Sequence, residues 1–181
     1  MPRLRAIEPD EATGRAKQLL DELDEKYGMI PNLARTLANS PAALQGYVGF
    51  GDALEGGVLP AKLREQIALT VSEANGCGYC VAAHLAIGRS VGLSDNELTD
   101  ARLSSSPDSK VDAAVHFARQ LVEKRGWAGD EDLHRVRQVG YGDAEIAEIV
   151  AIVAWTTFAN YFNHVALTAV DFPAALEISA L

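Results

Sequence analysis

Three side chains with reactive sulfur or nitrogen atoms lie close together near the middle of this chain. Cys77 and Cys80 are the only cysteines among the 181 residues, and His84 follows four positions after the second. In a helix that begins at Cys77, successive residues advance by about 100°, so the three side chains fall within an arc of about 60°. The sequence therefore predicts one helix face that carries two thiols and an imidazole.

The spacing of the two cysteines favours reversible redox chemistry. Positions three apart in a helix have Cα atoms at a separation compatible with a disulfide, so the pair can close with little backbone movement. A bridge around a loop of about four residues stabilises a fold by only about 2 kcal/mol, near the bottom of the usual range. The helix N-terminus favours a thiolate, especially at Cys77, and His84 can accept a thiol proton.

Glu65 joins this group if the helices on either side of Asn75-Gly76 fold back on each other. Glu65 then lies beside His84, where a carboxylate would orient the imidazole and raise its basicity. The alternative is a surface glutamate near its basic neighbours in sequence. In the first interpretation the stretch supplies a nucleophile, a base and an orienting acid.

Helical periodicity and helix-breaking residues indicate an all-α protein of about eight or nine helices around this motif. No segment combines strict alternation with enough β-branched residues to predict a strand. Ser94 and Glu97 have the spacing of a capping box. The last helix is apolar on nearly every side, so we expect it in the core or in a subunit interface. The predicted helices span about residues 11–27, 32–38, 42–54, 60–74, 77–91, 94–103, 108–125, 130–139 and 144–170.

The remaining aromatic and histidine side chains are assigned mainly to packing. His164 is expected to be a hydrogen-bonded histidine of the core or of an interface, with a contribution to a pocket as the alternative. His116 and His134 are expected at the surface or in packing contacts. Core positions are expected for the following aromatic residues, the last four with pocket lining as the alternative: Tyr47, Phe50, Trp155, Phe158, Tyr161 and Phe162.

Length and charge restrict the class of protein. A chain of 181 residues fits one domain, spanning residues 1–181, whose core needs no disulfide or metal. The net charge of −9 argues against nucleic acid or an anionic membrane as a partner. No apolar run reaches the length of about 20 residues that a membrane span requires, and the first residues lack a secretory signal. We therefore expect a cytoplasmic protein, in which a close cysteine pair is catalytic or metal-binding.

The stretch from Glu65 to His84 resembles the core motif of the carboxymuconolactone decarboxylase superfamily, in its alkylhydroperoxidase D-like branch. The matching pattern is ExxxLxVSxxNxCxYCxxxH, in which Cys77 and Cys80 are the two cysteines. The Pro-Asn-Leu segment that starts at Pro31 and the closing sequence NYFNHVALTAVDFP also resemble the peroxidase-related members. The resemblance therefore extends over most of the chain.

The resemblance implies an all-helical fold in which Cys80 attacks the terminal oxygen of a peroxide and becomes a sulfenic acid. Cys77 then resolves it as a disulfide, while Glu65 and His84 relay protons, and no metal or organic cofactor takes part. An electron donor, a thiol or a protein, reduces the pair. Family members form trimers or dimer-based hexamers, so we expect a homo-oligomer, as a dimer, trimer or hexamer. Alkylhydroperoxidase D has a second histidine where this chain has Tyr79, which leaves the relay one titratable group short.

The leading hypothesis is thus a thiol-dependent peroxidase that acts on hydrogen peroxide or organic hydroperoxides. A general dithiol-disulfide oxidoreductase would need the same residues and is an alternative. A redox-sensing or metal-binding module would use Cys77, Cys80 and His84 as ligands, but a structural zinc site has four ligands and the chain lacks a second pair. A lactone decarboxylase of the same superfamily does not rely on two cysteines, so the thiols argue against it.

Overall fold

The computed structural model describes residues 1–175 and 178, and within them the chain forms nine α-helices and no β-strand. The all-α class predicted from the sequence is therefore confirmed. None of the helices in this part of the chain has both the length and the apolar character needed to cross a lipid bilayer. The helices are α1 (Gly14–Tyr27), α2 (Asn32–Leu37), α3 (Pro41–Glu55), α4 (Ala61–Ala74), α5 (Gly78–Ser90), α6 (Asp95–Arg102), α7 (Ser109–Glu123), α8 (Asp130–Gln138) and α9 (Asp143–Ala166).

Helix α4 lies at the centre of the fold, where it contacts α5, α6, α7 and α9. Every residue from 66 to 72 is buried, so this helix is covered on all sides. Two polar contacts add to the packing against α6. The Arg102 guanidinium lies 2.7 Å from the Glu73 carboxylate, and the Thr70 hydroxyl donates to the carbonyl of Ala101 at 2.6 Å. The helix that carries Glu65 is therefore held from several directions.

The turn between α4 and α5 explains how the two halves of the motif meet. Gly76 has a φ of 68°, in the left-handed region that favours glycine. The N–H of Gly76 donates to the carbonyl of Glu73, and the N–H of Cys77 donates to the carbonyl of Ser72. These two bonds form a Schellman motif, which ends α4 and reverses the chain within a few residues. The helix break predicted at Asn75-Gly76 is confirmed.

Cys77 is the N-cap of α5 rather than its first helical residue. The predicted range of 77–91 placed it inside the helix, but its φ and ψ of −87° and 88° are not helical. An N-cap side chain can accept from a free amide of the first turn. The Cys77 sulfur accepts in this way from the N–H of Cys80 at 3.3 Å.

Helix α9 differs from its prediction in both burial and length. Only one stripe of the helix is buried, whereas Phe158 and Tyr161 are 44% and 60% exposed, so the expected core positions of these two aromatic residues are wrong. The helix ends at Ala166 and not near residue 170, because Leu167 adopts a left-handed conformation. The carbonyl of Ala166 accepts instead from the N–H of Arg3 at 2.7 Å. The start of the chain thus caps the end of its last helix.

Two large groups of buried side chains form most of the core, the first with members on α4 and the second with members on α5. One joins α4 with α7 and α9, and it includes Ile67, Ala114 and Ile149. The other joins α1 and α2 with the cysteine pair, and it includes Leu20 and Leu37. The cysteines therefore lie inside an apolar cluster that the first two helices complete.

We predict that two glycine-to-alanine substitutions change stability in opposite directions. In Gly76→Ala the left-handed backbone becomes strained, so the free energy of unfolding falls by about 1–2 kcal/mol. Gly46 lies within α3 with open space where a Cβ would stand, so Gly46→Ala raises the free energy of unfolding by about 0.5–1 kcal/mol. Urea denaturation measures both changes. A stabilising effect at Gly76 would contradict the Schellman turn.

Candidate active site

Cys77 and Cys80 are joined by a disulfide at the N-terminus of α5, with their Cα atoms 5.3 Å apart. The expectation that the spacing permits this bond is confirmed. Because both sulfurs are bonded to each other, neither is available as a thiolate ligand for a metal in this state. Across residues 1–175 and 178, no group of three or more histidine, cysteine, aspartate or glutamate side chains is arranged to hold a metal ion.

The disulfide is almost completely buried. Cys77 is 1% exposed and Cys80 is 3% exposed. Helices α1 and α2, together with Leu44 and Ala159, belong to the apolar cluster that surrounds them. A bulky reagent therefore cannot reach either sulfur without displacing a covering element, whereas a small molecule needs a much smaller opening.

The Glu65 carboxylate and the His84 imidazole form a hydrogen-bonded pair. Glu65 Oε2 lies 2.8 Å from His84 Nδ1, and the side chains are only 17% and 10% exposed. A carboxylate can only accept, so Nδ1–H is the donor, and Nε2 is the nitrogen that has the lone pair whenever the imidazole is neutral. The predicted juxtaposition of these residues is confirmed, and Glu65 does not extend toward solvent beside its basic neighbours. The pair supplies a fixed imidazole that can accept or return a proton.

Asn163, on helix α9, contacts the cysteine pair on α5. Its Nδ2 donates to Cys80 Sγ at 3.2 Å, and the residue is 4% exposed. Asn163 was not among the site residues predicted from the sequence. Its signal is the position of Asn160 and Asn163 on a helical stripe whose other buried members are mostly apolar. Two buried amides three positions apart on such a stripe need specific partners.

Asn160 connects α9 to the turn that precedes the disulfide. The residue is fully buried, its Nδ2 donates to the Ser72 hydroxyl at 3.3 Å, and its Oδ1 accepts from Asn75 Nδ2 at 2.8 Å. Ser72 and Asn75 belong to the last turn of α4, in which the Schellman motif forms. These bonds fix the position of α9 relative to the cysteine hairpin, and with it the position of Asn163.

Tyr79, between the two cysteines, acts as a packing and hydrogen-bonding residue. Its hydroxyl accepts from the N–H of Leu33 at 3.1 Å, which links α5 to α2. Its ring meets Phe172 edge to face, with centroids 5.8 Å apart. Burial raises the pKa of the Tyr79 phenol well above its usual value, so the group stays protonated near neutral pH. Tyr79 therefore fixes the position of α2, one of the helices that surround the disulfide.

Tyr47 on α3 and Trp155 on α9 form a stacked aromatic pair. Tyr47 stacks on Trp155 with centroids 5.0 Å apart, and the indole N–H of Trp155 donates to the carbonyl of Tyr47 at 2.9 Å. Burial raises the pKa of Tyr47, and the negative charge of Glu65 raises it further. Phe50, which was also expected in the core, is 40% exposed, because its position on α3 faces solvent.

The remaining histidines lie outside this arrangement. His164 is exposed at the edge of the buried stripe of α9, which excludes the core alternative, while the interface alternative stays a prediction. His134 is exposed and its Nε2 is 2.8 Å from Gln138 Nε2, while His116 is partly buried on α7. These last two positions agree with the prediction of surface or packing roles.

Comparison with known proteins identifies relatives of the same architecture. The sequence profile of the carboxymuconolactone decarboxylase family matches residues 41–124. A peroxidase-related protein of Ralstonia eutropha JMP134 that contains the alkylhydroperoxidase AhpD core is 26% identical, with a TM-score of 0.85 over 94% of this chain and 92% of that one. No curated protein sequence matches the chain.

Two further solved structures share the fold. The debrominase Bmp8, bound to 2,3,4-tribromopyrrole, is 20% identical, with a TM-score of 0.81 over 93% of this chain and 91% of that one. A peroxidase-related protein of Silicibacter sp. TM1040 is 21% identical, with a TM-score of 0.79 over 92% and 89% of the two chains. The family profile, the helical fold and the Cys-x-x-Cys pair confirm the resemblance of this chain to the carboxymuconolactone decarboxylase superfamily, in the alkylhydroperoxidase D-like branch.

Proposed function

We propose that this protein is a thiol-dependent peroxidase that reduces hydroperoxides through Cys77 and Cys80. The observation that carries the proposal is a closed, buried disulfide one helical turn before an imidazole that a carboxylate holds in a single orientation. A thiol peroxidase needs a nucleophile, a resolving thiol and a group that moves protons. The peroxidase-related protein with 26% identity and the same architecture supports this choice of reaction.

The proposed reaction begins with both cysteines reduced. His84 takes the thiol proton of Cys80, and the thiolate attacks the terminal oxygen of the hydroperoxide. The O–O bond breaks, Cys80 becomes a sulfenic acid, and the departing alkoxide takes the proton from His84 to leave as an alcohol. Cys77 then gives its proton to His84, its thiolate attacks the Cys80 sulfur, and the expelled hydroxide leaves as water. A thiol or protein donor returns two electrons and two protons to the disulfide.

Glu65 serves this scheme through its bond to His84. The carboxylate keeps Nδ1 protonated, so Nε2 is the nitrogen that exchanges protons with the reacting groups. It also stabilises the imidazolium that forms each time a thiol proton is accepted. The near-complete burial of the sulfurs supports small hydroperoxides as substrates, because a large one would have to displace the first two helices.

A general dithiol-disulfide oxidoreductase is the second candidate. The debrominase of similar fold indicates that this helical arrangement occurs with chemistry other than peroxide reduction. Both candidates use the same cysteine pair, so only the substrate distinguishes them. The decisive measurement is therefore the reaction of the reduced protein with a peroxide.

We predict that reduced wild-type protein loses both thiols on mixing with hydrogen peroxide, as measured by thiol titration. Cys77→Ser should stop at a sulfenic acid that dimedone traps, whereas Cys80→Ser should react no faster than free cysteine. His84→Gln should slow the reaction on the order of 10²-fold, because the proton acceptor is lost.

The double Cys77→Ser, Cys80→Ser variant is the control for the peroxide experiment. If the wild type consumes peroxide no faster than this variant does, the peroxidase proposal fails. Reduction of a disulfide reagent by the same wild-type sample would then support the dithiol oxidoreductase.

We predict that Tyr79→Phe lowers stability but leaves the pH profile of peroxide reduction unchanged. The substitution removes the acceptor of the buried Leu33 N–H, so the free energy of unfolding should fall by about 1–3 kcal/mol in urea denaturation. Tyr27→Phe, at a 50% exposed position, is the matched control and should change it by less than about 1 kcal/mol, because the hydrogen bond that it loses is open to water. Loss of one limb of the pH profile in Tyr79→Phe would instead identify Tyr79 as a proton donor.

We also propose that the chain forms a homo-oligomer through the exposed stripe of α9. The stripe consists of Ala147, Val150, Ala154, Phe158, Tyr161 and Val165, which recur at intervals of three or four residues. None of these side chains carries a charge. The same stripe on a second copy is a suitable partner, because an apolar surface that repeats along a helix of 24 residues is complementary to itself.

We predict that Phe158→Glu dissociates this oligomer to a monomer of 19.3 kDa in light scattering at micromolar concentration. A buried carboxylate at the contact would lack a partner and oppose association. Trp127→Glu is the control, because Trp127 is 83% exposed but lies between α7 and α8, away from the stripe. A wild-type protein that is already monomeric would contradict the proposal.

A further inference from the structure

The two sulfurs of the disulfide receive hydrogen bonds from different parts of the fold. Cys77 Sγ accepts from the backbone N–H of Cys80, a local bond at the start of α5. Cys80 Sγ accepts from Asn163 Nδ2 at 3.2 Å, across 83 positions of sequence. The donor on Cys80 is thus a side chain that substitution can remove without changing the helix start.

The orientation of the Asn163 amide follows from the chemistry of the sulfur. A disulfide sulfur has no hydrogen and can only accept, so the amide nitrogen must face it. Asn163 Oδ1, the other end of the amide, is buried and has no hydrogen-bond partner among the described residues. A buried oxygen in this condition is costly, and it gains a partner if a donor forms beside it.

The surroundings hold this amide against the sulfur. Asn163 is 4% exposed, and Asn160, one turn earlier on α9, is bonded to Ser72 and to Asn75. The amide therefore does not need to be recruited during a reaction. In the reduced protein a thiolate on Cys80 would find a donor already in place, and charge-assisted bonds of this kind are stronger than neutral ones.

We propose that Asn163 is a catalytic residue whose amide N–H stabilises the thiolate of Cys80 and whose Oδ1 accepts the hydrogen of the Cys80 sulfenic acid. The proposal rests on the peroxidase reaction above and adds no bond-making step to it. Asn163 neither gains nor loses a proton. The contact between Asn163 and Cys80 favours Cys80 as the attacking thiolate, whereas the helix N-terminus alone favours Cys77 in that role.

The test measures the pKa of Cys80 from the pH dependence of iodoacetamide alkylation in a Cys77→Ser background. With Asn163 intact we expect a pKa below about 8.5, the value of a free cysteine. Asn163→Ala should raise the pKa of Cys80 by about one unit, which lowers the alkylation rate about tenfold at a pH well below both pKa values. Asn163→Asp has the same shape, lacks the N–H and adds a negative charge, so it should raise the pKa further.

Thr156→Ala is the matched control, because it shortens a buried polar side chain on the same helix whose hydroxyl has no hydrogen-bond partner among the described residues. It should leave the pKa of Cys80 unchanged. Circular dichroism selects the folded variants. The inference fails if a folded Asn163 variant keeps the parent pKa, and it fails without any variant at Asn163 if the Cys77→Ser protein itself has a Cys80 pKa of 8.5 or above.

A second readout examines the sulfenic acid. In the Cys77→Ser background, peroxide should form a sulfenic acid that survives longer with Asn163 present than in Asn163→Ala, as followed by delayed addition of dimedone. Equal lifetimes would overturn the role of Oδ1. These measurements separate the two proposals: a shifted pKa without peroxide turnover refutes only the peroxidase, and turnover with an unshifted pKa refutes only the role of Asn163.

Discussion

The reversal of the chain at Gly76 is the constraint on which the site depends. The left-handed residue ends α4, and the two bonds that close the Schellman motif begin α5 within two positions. Glu65 and His84 are brought within hydrogen-bonding distance only because the two helices run back along each other from this point. The same turn leaves Cys77 as a cap whose sulfur meets the first free amides of α5. A single backbone conformation thus determines the positions of both the cysteine pair and the Glu65–His84 pair.

The two cysteines are equivalent in the motif but not in the fold. One sulfur belongs to the start of α5, and the other faces the amide of a distant helix. Burial increases this difference between the two sulfurs, because hydrogen bonds are electrostatically stronger where water is excluded. Hydrogen bonds from Asn160 to Asn75 and Ser72 hold α9, and with it Asn163, in position beside Cys80. Differences of this kind are what allow one thiol of a symmetrical pair to attack and the other to resolve.

Sequence reasoning succeeded where the relevant contacts are local. Glu65 and His84 lie 19 residues apart in two helices joined by one recognisable turn, so helix geometry alone predicts their contact. Asn163 reaches Cys80 across 83 residues, and no periodic pattern specifies which face of α9 meets α5. Helix α9 is apolar almost all around, so the sequence could not tell its buried stripe from its exposed one. Its end at Ala166 was missed for a similar reason, since the capping amide comes from Arg3.

The enclosure of the disulfide has a consequence for the order in which the protein is made. Tyr79 is bonded to Leu33, which precedes the cysteines in the chain, and its ring is covered by Phe172, which follows them by about ninety residues. At about 5–20 residues per second, synthesis of that interval takes roughly 5 to 20 seconds. During this time the two cysteines have been synthesised, but α9 and Phe172 are not yet complete. The nascent thiols are therefore open to the reductants and oxidants around the ribosome, and they become protected only when the end of the chain arrives.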